Sequence, residues 1–179
     1  MKLKLLTTGL LSIAVTLGAS TVKEVRANSE AEFICADSYD GESEQSLPTT
    51  FAWTPHGKVA IIRWETEDFL NAGFSPQERC EAVSPRFQEA YDNNTLGLIT
   101  NGQMNARPVI CTSNESGGEC VTLLMTLRPE DNSLRVLQSL KQILNMEQVG
   151  PIKHSSGIPQ VYYEVDIENF LETAPVEQN

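Results

Sequence analysis

Pro108-Val-Ile-Cys-Thr-Ser-Asn-Glu-Ser-Gly-Gly-Glu-Cys-Val-Thr-Leu-Leu-Met-Thr-Leu127 sets two apolar runs on either side of a polar stretch. Pro108–Cys111 and Val121–Leu127 are rich in branched and long aliphatic side chains, the composition of strands. Thr112 to Glu119 is made of turn-forming and charged residues, the composition of a loop. A hairpin brings the two ends of such a loop together, so the expected pair is antiparallel, with Cys111 beside Cys120.

The same pattern repeats toward the N-terminus. Glu32–Ala36 reads as a first strand, and Asp37 to Glu44 as an acidic loop. Thr49–Thr54 and Lys58–Trp64 form strands joined by the turn Pro55-His56-Gly57. Another strand begins at Leu96. Its turn has two candidate sites: Asn101-Gly102, a strong hairpin signal, or Asn105-Ala106, with the strand running on to Met104.

Two main helices interrupt the strands. Ser75 can cap the first, with Pro76 in its opening turn and Glu78 closing a capping box. Cys80, Val83, Phe87 and Tyr91 fall at spacings of three and four, an inward stripe. Pro85 either kinks this helix or lets Ser84 cap a second one. The other helix starts after Asp131 or Asn132 and runs to about Gln148, where Gly150-Pro151 ends it. Its apolar face holds Leu134, Leu137, Leu140 and Leu144, joined by Val136 and Ile143. Val161–Val165 is a late strand, Asp166 caps a short last helix through Leu171, and Thr173 onward is expected to fray. The order predicts an α+β fold: a mostly antiparallel sheet, two main helices and disulfide staples.

The N-terminus has the layout of a secretory signal over residues 1–27. Lys2 and Lys4 precede an apolar run from Leu5 to Ala19, and Val25-Arg26-Ala27 offers small residues at a cleavage site. The run is shorter than the ~20 residues that span a bilayer. Residues 28–179 then form a single domain. Four cysteines remain: Cys35, Cys80, Cys111 and Cys120. An even number in an exported chain implies two disulfides, and with Cys111 joined to Cys120 the other pair is Cys35 and Cys80. Cys80 lies near a helix N-terminus, where a thiol can become nucleophilic, but its place on the apolar stripe favours a staple.

Charge excludes whole classes of partner. Residues 1–27 carry a net +3 and the whole chain −11, so the mature chain carries −14. Such a surface repels phosphates and anionic headgroups, so neither nucleic-acid binding nor direct docking on anionic lipid is expected. No transition metal is expected, because His56 and His154 stand far apart and the thiols are paired. His154-Ser-Ser-Gly157 lacks the nucleophile elbow of a serine hydrolase. Asp37, Asp40, Glu42 and Glu44 are dense enough for calcium but lack the spacing of a calcium loop. No catalytic set and no cofactor are therefore expected.

Arginine outnumbers lysine six to three in the mature chain. Guanidinium groups form planar bidentate pairs with carboxylates. Arg63, Arg79, Arg86 and Arg107 are the candidate anion-binding residues, with internal ion pairing as the competing use. Trp53 and Trp64 are candidate platforms if they face the open side of the sheet, and core residues otherwise.

Taken in order, Val59–Trp64, Pro76–Cys80, Val83–Gln88, Gly102–Asn105, Pro108–Cys111 and Cys120–Leu127 resemble the cyanobacterial circadian oscillating protein family, from about Phe33 to Tyr163. The resemblance implies an exported cyanobacterial protein, peripheral to a membrane, with no established enzymatic activity and no catalytic residues to carry over. Asn105-Ala106, where relatives continue Asn-Gly, and Pro85 in the family's helix are departures from the family pattern.

The expected function is a non-catalytic, disulfide-stapled module that holds a protein partner in the periplasm, the thylakoid lumen or at the cell surface. An extracytoplasmic binder of small anions or calcium is the alternative, and a thiol enzyme at Cys80 the third reading.

Overall fold

The computed structural model describes residues 31–65, 74–146 and 160–177. The leader, His154 to Gly157 and the Gly150-Pro151 stop signal lie outside them. Among the described residues seven strands form two sheets, and every pairing is antiparallel. The first sheet has the order β1–β2–β3, from Glu32–Asp40, Gln45–Thr54 and Gly57–Arg63. The second has the order β6–β5–β4–β7: Leu123–Thr126, Arg107–Thr112, Leu98–Met104 and Tyr162–Glu164. The described residues also form three helices: α1 at Pro76–Asp92, α2 at Ser133–Leu144 and α3 at Ile167–Thr173.

The helices join the sheets into one core. α1 packs on β1, β2 and β6, and α2 on β4, β5 and β3. Phe33, Ile61, Phe87, Ile99, Leu124, Leu137 and Phe170 belong to the same buried cluster. Phe33 stacks on Phe87 at 5.9 Å between ring centroids and meets Tyr91 at 5.5 Å. Cys35–Cys80 then ties β1 to α1, and Cys111–Cys120 closes the short loop, as the sequence predicts.

The helix caps follow from local chemistry. Ser75 accepts a bond from the Glu78 amide, and the Glu78 carboxylate accepts one from the Ser75 amide. α1 stays continuous through Pro85. Pro85 and Glu81 are both exposed, so water can serve the carbonyl that loses its amide partner. Asn132, not Asp131, caps α2, and Asn145 ends the helix short of Gln148. Ile143 is exposed, a departure from the apolar face expected for α2.

Three further expectations are corrected. Asp37 and Asp40 belong to β1, which pairs through Asp40↔Gln45, so the acidic turn shrinks to Gly41–Glu44. Val121 and Thr122 lie outside β6, although their backbones still bond to Thr112. The C-terminal segment does not fray from Thr173: Glu177 donates its amide to the Lys58 carbonyl at 2.8 Å, and Val176 lies against Gly57.

Candidate functional site

About two turns of α1 form one wall of the site. Arg79, Ala82, Val83 and Arg86 stand at i, i+3, i+4 and i+7, so they share a helical face adjoining the buried stripe of Cys80, Val83 and Phe87. This face lines a cleft of about 360 Å³ together with Trp64, Phe74, Arg107, Met125 and Thr126. Thr126 pairs with Val109 and Met125 with Ile110, on the strand that opens at Arg107. A register shift follows, so that Cys111 pairs with Leu123. The bulge lets the consecutive Leu124 and Met125 both be buried, and Met125 reaches the cleft.

Trp64 is 4% exposed and forms part of the floor. Its indole Nε1 donates to Thr50 Oγ1 at 3.0 Å, and Ser84 Oγ lies 3.1 Å from that same oxygen. Both faces of the contact are therefore polar-satisfied, which fixes the ring. The Arg79 guanidinium lies over the Trp64 ring, 4.5 Å from its centroid. Burial lowers the pKa of Arg79, Asp131 opposes that shift and Arg128 adds to it. Asp131 itself is held by Arg128, at 2.8 Å from Nη2 and 3.0 Å from Nε. Burial would raise the Asp131 pKa, but the Arg128 side-chain and backbone bonds outweigh it and the net shift is downward.

Arg86 and Arg107 differ from Arg79. Among the described residues, neither makes an ion pair or a side-chain hydrogen bond. Among the described residues the cleft lining contains no acidic one. In a chain of net −11, this is a local reversal of charge over an apolar floor.

The model of the family described as Circadian oscillating protein COP23 matches residues 32–172. The chain belongs to that family. No curated protein and no solved structure matches it. The COP23 span runs from the first residue of β1 almost to the end of α3. It includes both disulfides and all three arginines of the cleft.

Within this COP23 domain the sequence candidates separate. Arg79, Arg86, Arg107 and Trp64 converge on one cleft. Arg63 does not join them: its guanidinium pairs with Glu177 and lies 3.6 Å from Asp40. Ser38 also donates to Glu177, so Arg63 fastens the C-terminal segment to the first sheet. Trp53 is 49% exposed and stands apart from Trp64, with Lys58 Nζ 5.1 Å from its ring centroid. Phe74 and Met125 complete the apolar lining and carried no sequence signal of their own. Ala82 and Val83 could have been found from the helical spacing between Arg79 and Arg86.

The competing chemistries are placed as follows. Cys80 is fully buried and joined to Cys35. His56 is exposed on the β2–β3 turn. Asp40 accepts bonds from the Ser43 hydroxyl and amide, which lower its pKa. Among the described residues no three His, Cys, Asp or Glu side chains stand close enough to hold a metal ion.

Proposed function

We propose that this COP23-family chain is an exported, non-catalytic binding domain that holds a protein partner at a membrane surface. The single observation carrying this reading is the cleft over Trp64, where Arg79, Arg86 and Arg107 meet an apolar lining with no acidic side chain among the described residues. Arg63 and Arg128 find carboxylates within the chain. Arg86 and Arg107 are left available for carboxylates from outside.

The setting follows from the sequence. A signal-like leader and two disulfides suit an oxidising compartment of a cyanobacterium: periplasm, thylakoid lumen or cell surface. A mature charge of −14 argues against direct contact with anionic lipid, so attachment passes through the partner. With Cys80 buried in a staple, the thiol-enzyme reading loses its nucleophile.

Fractionating the source cells into soluble extracytoplasmic and membrane pools tests this. The chain is expected in the membrane pool, released by a high-salt wash. Recovery as a free monomer in the soluble pool would contradict it.

A further inference from the structure

We propose that the Trp64 cleft recognises an extended acidic segment of the partner, with carboxylates on Arg86 and Arg107 and an apolar side chain between them against Phe74 and Met125. This rests on the partner-holding reading above and adds the chemistry of what is held.

Charge selects the sign of the ligand. Among the described residues Arg86 and Arg107 have no carboxylate partner, and none of those lining the cleft is acidic. Two guanidinium groups beside an apolar surface match a ligand that is anionic and apolar at once. A polyphosphate would supply the charge but leave Phe74, 52% exposed, without a partner.

Placement selects a ligand with more than one carboxylate. Arg86 stands on α1 and Arg107 on β5, so two elements each present a guanidinium to the cleft. Alternate side chains of an extended peptide point to the same side. An acidic, an apolar and an acidic residue at every second position therefore face the cleft together. The volume of about 360 Å³ is at the small end of ligand sites and accepts one or two side chains, not a folded element.

The test is a polarisation titration of the oxidised chain, purified from its source cells, with a fluorescein-labelled, end-blocked peptide. In the peptide, aspartate and glutamate flank a phenylalanine, with one serine between it and each of them so that all three share a face. A second peptide carries asparagine and glutamine in their place. The acidic peptide is expected to bind at least about tenfold more tightly than the amide peptide. Arg86→Gln and Arg107→Gln are each expected to weaken it by about tenfold, and added salt to weaken it further. Circular dichroism of both variants checks that the fold is retained. Equal binding of the two peptides, or indifference to both substitutions, would overturn the proposal. So would phenylacetate competing as well as the peptide, which would make this a site for small carboxylates. Dimerisation of the chain alone, abolished by Arg86→Gln, would overturn it by naming a second copy as the occupant. A salt-releasable membrane association that survives loss of both arginines would sink this proposal and leave the partner-holding reading intact.

Discussion

Asn101 and Gly102 show how a local signal can be used for another purpose. Asn-Gly between apolar residues is the strongest short hairpin mark, yet here both residues lie inside β4. Asn101 is buried, its Oδ1 accepting from the Val161 amide at 2.9 Å and its Nδ2 donating to Ser133 Oγ at 3.4 Å. It therefore connects β4 to the chain entering β7 and to the start of α2. Gly102 makes room for the second disulfide: a Cβ there would stand 3.1 Å from Cys120 Sγ. Gly102→Ala is expected to destabilise the fold by about 1–3 kcal/mol through overpacking, read as a lower midpoint in urea. An unchanged midpoint would mean the disulfide yields without cost. Arg63 teaches the same lesson about charge. Its partner Glu177 is over a hundred positions away, and nothing in the apolar strand around Arg63 names it.

At the scale of elements, alternation and capping residues carried most of the information. Ser75, Asn132 and Asp166 cap the three helices, and the strand runs were visible as apolar stretches. Strand ends were not, because pairing partners extend β1 and β2 through polar residues such as Asp37 and Ser46. The β4–β5 turn falls at Asn105-Ala106, where both residues have positive φ, 51° and 59°. That is the sign pattern of a type I′ turn, which favours glycine at its second position. An alanine held there costs about 1–2 kcal/mol, and glycine gives back part of the difference through its freer unfolded chain. Ala106→Gly is thus expected to stabilise the chain by about 0.5–1 kcal/mol, a rise of about 2 °C in Tm by calorimetry. A fall in Tm would show that the turn is shaped by contacts, not by backbone preference.

At the scale of the molecule, two disulfides and the helices α1 and α2, each touching both sheets, hold the seven described strands in one core. The chain-entropy model assigns roughly 3 kcal/mol to the short loop and roughly 4 to the long one. The class of fold and the cysteine pairing were legible because they follow from periodicity, compartment and proximity. The site was half legible. Arginine use marked the right residue type, and the helical spacing of Arg79 and Arg86 marked one wall. Arg107, Met125 and Phe74 come from distant segments, so only the packing of β5 and β6 on α1 could bring them there. The cleft is the proposed meeting place of the molecule and its partner. Gel filtration of native extracts compares the natural chain with the double variant Arg86→Glu, Arg107→Glu. The natural chain should elute well above the mass of one copy and the variant as a folded monomer. Co-elution of the two in the same large complex would contradict the account.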